Sequence, residues 1–183
     1  MRLHRIIGKL TAFVFALGLA TCLNSGSAEA QYKNGQIGFE GGYMFLGEKS
    51  ELDSHGFLLG LRAAYKASDH WWFTARGAVS FRGEQGNSNR TVVLLHLVPV
   101  DARYYFKTDR FRPFLGVTNS FNLLFNQTID SSVFWGPGIT GGAEIRLSRD
   151  IYLGLEADAF WMFVFEGDDA PLFTTTAQLI FFL

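Results

Sequence analysis

The sequence predicts an all-β protein, an eight-stranded antiparallel up-and-down transmembrane β-barrel. Three observations carry that expectation. Apolar residues recur at every second position along most of the chain, the period of a strand with one apolar face. Charged residues fall almost entirely on the opposite parity. The connectors between alternating segments are short and long in turn. The chain is 48% hydrophobic, with 19 Phe, 4 Trp and 6 Tyr. Yet past residue 30 it has no charge-free apolar run of about 18 residues, so a helical membrane span is not expected.

Residues 1–30 read as a secretory signal peptide. Arg2, Arg5 and Lys9 make a basic start, Ile6 to Cys22 is mostly apolar, and Ala28-Glu29-Ala30 has the small-x-small form of a cleavage site. Two alternatives are an uncleaved anchor and a lipoprotein modified at Cys22, since Leu19-Ala20-Thr21-Cys22 loosely resembles a lipobox, although Thr is a poor residue before the modified Cys. Residues 31–183 then form a single barrel domain. The whole chain has 16 Lys+Arg and 17 Asp+Glu. Losing Arg2, Arg5, Lys9 and Glu29 leaves 13 basic and 16 acidic residues, a net charge of −3. No basic stripe exists to neutralise phosphates, so no nucleic-acid partner is expected. The one Cys, Cys22, leaves with the signal, which removes disulfide and thiol chemistry.

The strands follow in order. Ile37, Phe39, Gly41, Tyr43 and Phe45 oppose Gly38, Glu40, Gly42 and Met44. Phe57, Leu59, Leu61, Ala63 and Tyr65 oppose Leu58, Gly60, Arg62, Ala64 and Lys66. Trp71, Phe73, Ala75, Gly77, Val79 and Phe81 oppose Trp72, Thr74, Arg76, Ala78, Ser80 and Arg82. In the fourth segment, Thr91 to Phe106, His96 fits one parity while Asp101, Arg103 and Tyr105 fit the other. Pro99 lies between and cannot donate to a ladder, so a bulge is expected near Val98 to Val100. Leu115, Val117, Phe121 and Leu123 oppose Gly116, Thr118, Ser120 and Asn122, with Asn119 an exception on the oily side. Ile139, Ala143, Ile145 and Leu147 oppose Thr140, Gly142, Glu144 and Arg146. Ile151 to Phe163 sets Leu153, Leu155, Ala157, Ala159 and Trp161 against Tyr152, Gly154, Glu156, Asp158, Phe160 and Met162. Phe173, Ala177, Leu179, Phe181 and Leu183 oppose Thr174, Thr176, Gln178 and Phe182. The connectors Ala67 to Asp69, Lys107 to Arg110 and Ser148 to Asp150 are short; Gly47 to His55, Gly83 to Arg90, Asn126 to Gly136 and Glu166 to Ala170 are mostly longer and rich in Gly, Ser, Asn and acids.

Alternation does not say which face is inside. A soluble barrel buries the apolar face; a membrane barrel turns it to lipid and keeps a polar lumen. The polar face carries Glu40, Arg62, Lys66, Arg76, Arg82, Asp101, Arg103, Glu144, Arg146, Glu156 and Asp158, six basic and five acidic. Aromatics gather at both strand ends: Tyr65, Trp71, Tyr104, Phe111, Tyr152 and Phe181 near the short turns, and Tyr43, Phe45, Phe81, Phe125, Trp135, Trp161, Phe163 and Phe173 near the long loops. Two aromatic belts around an aliphatic band suit the two interfaces of a bilayer. A secreted lipocalin-like carrier is the alternative, but its outer surface would have to be oily.

Two segments resemble known proteins. Arg112-Pro113-Phe114-Leu115-Gly116-Val117 is similar to the strand after the second short turn in the small bacterial outer-membrane β-barrels, the OmpA/OmpX-like eight-stranded barrel domains. Gly141 to Glu156 is similar to their late hairpin. The resemblance covers essentially all of residues 31–183 and is specific for fold, weak for function. It implies a location in the outer membrane, short turns and termini in the periplasm, and long loops outside the cell. It also implies outer-membrane lipid, lipopolysaccharide and the assembly machinery as partners, and a monomer. The family's usual terminal Phe is replaced here by Leu183.

For the lumen, the expectation is a charge network of Glu40, Arg62, Arg76, Asp101, Arg103, Glu144, Arg146, Glu156 and Asp158, because charges in so narrow a bore must pair. Glu156 and Asp158 are expected to meet Arg146 or Glu144 on the neighbouring strand and Arg62, Arg76 or Arg103 across the bore. Small lumen residues such as Gly38, Gly42, Gly60, Gly142 and Gly154 would leave room for water. The favoured function is therefore a structural or surface-interaction barrel, and the first alternative is a narrow pore for small solutes. A second alternative follows from the resemblance, since some barrels of this size modify lipid A with a Ser-His-acid constellation. Here His55 falls in an expected outer loop and His70 at an expected short turn, only His96 lies within a strand, and no Ser is two residues from it. No enzyme activity, cofactor or metal site is expected. Glu166, Asp168 and Asp169 could hold a surface cation, a solvated acidic loop being the plainer reading. Asn89-Arg90-Thr91 and Asn126-Gln127-Thr128 match the glycosylation pattern by chance.

Overall fold

The computed structural model describes residues 34–47, 55–84, 87–125, 132–164 and 170–183. The signal segment, Cys22, the acidic stretch around Asp168 and Asn126-Gln127-Thr128 lie outside them. Eight strands follow one another: β1 (Gly35–Leu46), β2 (His55–Lys66), β3 (Trp71–Glu84), β4 (Asn87–Tyr105), β5 (Phe111–Phe125), β6 (Ser132–Arg146), β7 (Ile151–Val164) and β8 (Ala170–Phe182). Each is antiparallel to its neighbours, and β8 pairs with β1, from Gln36↔Phe182 to Leu46↔Leu172, to close the barrel. Closure leaves no free sheet edge, the condition for backbone to cross a hydrocarbon layer as strands. No helix among the described residues is long and apolar enough to cross a membrane.

The bulge falls where Pro99 places it. Against β3 the register steps from Thr74↔Asp101 to Arg76↔Val98, and against β5 from Leu97↔Phe121 to Val100↔Asn119. One extra residue therefore sits on β4, with Pro99 and Val100 both exposed. The inward parity changes there from His96 and Val98 to Asp101, Arg103 and Tyr105.

The oily parity faces out. Leu59, Leu61, Leu115, Val117, Ile139, Leu153, Leu155 and Leu179 form a central exposed band. Exposed Tyr65, Trp71, Tyr104 and Phe111 flank it at the short turns; Tyr43, Phe81, Phe125, Trp135, Trp161, Phe163 and Phe173 flank it at the long loops. Tyr152 departs from the expected belt. It is buried inside the barrel against Phe182, with ring centroids 4.5 Å apart.

Candidate functional site in the barrel lumen

The lumen is filled in three layers. At the long-loop end, Met44, Leu46, Leu58, Ala78, Val92, Leu94, Val98, Leu124, Phe160, Met162 and Leu172 form one buried apolar cluster. At the short-turn end, Ala64, Trp72, Tyr105 and Phe114 form another, with Phe182 packed against it. The charges lie between.

Two hubs organise the ionic layer. Arg103 donates Nη1 and Nη2 to the two oxygens of Glu156 at 2.7 and 2.8 Å, and Nε to Asp101 Oδ2 at 2.9 Å. Arg76 pairs with Glu156, reaches Asp158 Oδ2 at 2.9 Å, and lies 3.7 Å from Asp101. Thr174 donates to Asp158 at 2.6 Å, and Gln178 Nε2 to Glu156 at 2.8 Å. The second hub is Glu144, which accepts from Arg62 at 3.2 Å, Tyr105 at 2.7 Å and Arg112 at 2.6 Å. Arg62 also bonds to Gln178 and Gln36. Glu40 is the least bonded of these acids; its one hydrogen bond among the described residues is from Gln178 Nε2, at 3.5 Å.

The geometry decides whether water could pass. Arg62 on β2 meets Glu144 on β6, and Arg76 on β3 meets Glu156 and Asp158 on β7. In an eight-stranded barrel those are opposite walls, so the ion pairs span the bore. The inward glycines do not open it. A Cβ on Gly60 would lie 2.6 Å from Ala78 Cβ and 2.8 Å from Glu40 Oε1, and one on Gly142 would lie 2.9 Å from the Phe114 ring. At Gly60 and Gly142 the missing side chains admit those of neighbours, and at Gly42 the backbone of Thr175 makes the close approach.

Eight of the nine residues expected in the network are buried: Glu40, Arg62, Arg76, Asp101, Arg103, Glu144, Glu156 and Asp158. Arg146 is not among them. It is exposed, because β6 reaches the barrel rim there and the bore beside it is filled by the aromatic layer. Its expected place beside the lumen acids belongs to Arg112, which sequence reasoning passed over. Arg112 is 5% exposed and stands in register with Glu144. Its guanidinium lies 4.5 Å from the Tyr105 ring centre, 4.9 Å from Tyr152, 5.1 Å from Phe182 and 5.4 Å from Trp72. A weakly hydrated planar cation suits such an aromatic surround. The signal was present: Arg112 shares the inward parity of Phe114, Gly116 and Thr118.

The three described histidines do not assemble a catalytic set. His55 is exposed and packs on Phe45; His70 Nδ1 lies 2.7 Å from Tyr105 O. His96 Nδ1 lies 2.7 Å from Asn122 Oδ1, and Asn122 Nδ2 donates to Ser120 Oγ at 2.9 Å. Ser120 is fully buried, so no substrate reaches it. Among the described residues no group of three or more His, Cys, Asp or Glu could hold a metal ion.

A closed eight-strand barrel with an apolar exterior, aromatic belts and a charged interior is the architecture of the small outer-membrane barrels. No protein-family model matches the chain, and no curated protein matches it in sequence. Solved structures do. Neisserial surface protein A aligns over 85% of this chain and 100% of its own, with a TM-score of 0.69 and 15% identity. The outer membrane protein OprG from Pseudomonas aeruginosa aligns over 83% of this chain and 98% of its own, with a TM-score of 0.56 and 12% identity. A de novo designed transmembrane β-barrel aligns over 85% and 100%, with a TM-score of 0.51 and 12% identity. At such identities the likeness is one of fold, and a designed barrel among the matches underlines that this fold specifies no activity.

Proposed function

We propose that the protein is a bacterial outer-membrane barrel with a structural or surface-interaction role, exported through a cleaved signal, and that its bore does not conduct. The observation that carries this reading is the ionic layer bridging opposite walls beneath a separate apolar layer. A permeating ion would have to displace the Arg103–Glu156 and Arg76–Asp158 pairs and cross the cluster around Met44, Met162 and Leu172. Within the apolar layer the polar groups beside Met162 and Phe160 are Ser120, Asn122 and His96, too few to replace its hydration shell. The same filling speaks against an enzyme in the lumen. What is left to act is the outer surface, namely the long loops and the wall that meets lipid. Likeness to proteins of the bacterial surface supports the location.

Single-channel recording of the barrel in a planar bilayer tests this. The expected result is silence from demonstrably inserted protein, both for wild type and for Glu156→Gln/Asp158→Asn. Discrete conductance steps in wild type that change when those acids are neutralised would make the protein a pore lined by them.

A further inference from the structure

The ionic layer does not balance. Among the described residues its buried guanidiniums are those of Arg62, Arg76, Arg103 and Arg112, and its buried carboxyls are those of Glu40, Asp101, Glu144, Glu156 and Asp158. Five acids therefore meet four cations between the apolar and aromatic layers. Asp101 and Glu156 are paired with Arg103, Asp158 with Arg76, and Glu144 with Arg62 and Arg112. Glu40, as buried as the others at 5% exposed, has no ion pair among the described residues. It stands opposite Gly60 on β2 and Gln178 on β8. Gln178 Nε2 has two hydrogens for three acceptors, and lies 2.8 Å from Glu156 Oε2, 3.2 Å from Thr176 Oγ1 and 3.5 Å from Glu40 Oε2. Glu40 therefore receives the weakest share. The charges that act on it are Arg62 on β2, Arg76 on β3, Arg103 on β4 and Glu156 on β7, while β8 contributes the neutral Gln178.

A carboxylate kept from water and left without a cation is the costliest form a buried acid can take, and binding a proton removes that cost. We propose that Glu40 carries a proton in the folded barrel near neutral pH, which leaves the ionic layer neutral and gives the lumen one proton-sensitive group. The other acids stay ionised because each has a guanidinium, and Glu144 and Glu156 have two apiece. Arg76 shows what losing the proton does. Its Nε and Nη2 donate no hydrogen bond, so a charged Glu40 competes for it with Glu156 and Asp158 on the opposite wall. The cross-bore pairs are undisturbed while the proton is held and are drawn toward β1 once it leaves. The sign of the effect on stability follows. Between the pH at which an unfolded Glu ionises and the higher pH at which Glu40 does, the folded barrel binds one proton more than the unfolded chain. Stability from this group is full below that window and falls as pH rises through it.

The test is the ionisation state of Glu40 in the intact barrel, read by carboxyl-carbon NMR in micelles with the signal traced through that residue's own side-chain carbons. At about pH 6, where an exposed Glu is ionised, Glu40 is expected in the protonated range, and Glu144 and Glu156 in the ionised range. Urea unfolding followed by gel mobility supplies a second readout. The wild-type midpoint is expected to fall between about pH 5 and about pH 8, and that of Glu40→Gln, which fixes the neutral form, to fall by less. The difference between the two barrels isolates Glu40 from the histidines, which both contain. An ionised Glu40 at about pH 6 overturns the proposal, and so does a proton found on Asp101, Glu144, Glu156 or Asp158 in its place. Equal pH slopes in the two barrels overturn it as well. If Glu40→Gln does not fold, the wild-type NMR titration decides alone.

Discussion

The two halves of the lumen solve the same packing problem with different chemistry. Toward the long loops the bore is closed by Met, Leu, Val and Phe side chains; toward the short turns it is closed by guanidiniums, carboxylates and aromatic rings. Apolar packing is tolerant, because a side chain of similar volume refills the same space. The ionic layer is specific. Arg103 must reach Asp101 and both oxygens of Glu156 at once, and each buried charge is stable only while its partners are present. The difference teaches where identity matters in this barrel: in the ionic layer through each residue, in the apolar layer through total volume.

The largest expected effect breaks the ionic half at its hub. Arg103→Ala leaves Asp101 and Glu156 buried with Arg76 as their one remaining shared cation among the described residues, and is expected to cost about 4 kcal/mol. Met162→Ala, in the apolar half, creates a cavity and is expected to cost about 2–3 kcal/mol. Urea unfolding followed by gel mobility reads both. Equal costs, or a larger one for Met162→Ala, would remove the distinction between the halves.

Conservative exchanges sharpen the comparison. Arg103→Lys keeps the charge and loses the fork, so at least one bond to Glu156 or Asp101 goes, at an expected cost of about 2 kcal/mol. Met162→Leu nearly conserves volume and is expected to cost under about 1.5 kcal/mol. Its Sδ also receives weak contacts from Ser120 at 3.7 Å and Asn122 at 3.8 Å, and their loss falls within that figure. If Arg103→Lys proves as mild as Met162→Leu, the layer is held by charge alone and the fork geometry is incidental.

The fold was legible in the sequence because a period of two survives in every strand, and Pro99 marked the break within β4; a second register shift, at Gly83/Glu84, carried no such mark. The ionic layer was legible as a set of charges on one parity. Its pairing was not, because partners such as Arg62 and Glu144 or Arg76 and Asp158 lie on opposite walls, and no spacing along the chain encodes a distance across the bore. Parity also cannot say how far along a strand the bore extends. That is why Arg146 was read as an interior charge and Arg112 overlooked, although both share their strands' inward parity. The apolar layer was hidden for a different reason. Met44, Leu58, Phe160 and Met162 sit on the parity whose charges drew attention, and their meeting depends on which strand ends lie side by side.

The smallest expected effect lies outside the bilayer, at the first short turn, and marks the limit of what charge pairing does in this molecule. Lys66 Nζ donates to Asp69 Oδ1 at 2.7 Å, closer than several of the buried pairs. That hydrogen bond, and then the nearby positive charge, hold the Asp69 carboxyl below the usual carboxylate range. A depressed folded-state pKa contributes stability that is present above the unfolded value and is lost as pH falls through the folded one. Here the carboxyl is fully exposed, so solvent and salt screen the contribution. Lys66→Ala is therefore expected to raise the Asp69 pKa toward its ordinary value, read by carboxyl-carbon NMR titration, while the urea midpoint at neutral pH stays where it was. A midpoint that falls with the pKa change would mean that an exposed turn pair acts like the buried ones. The contrast drawn above would then rest on contact distance rather than on burial.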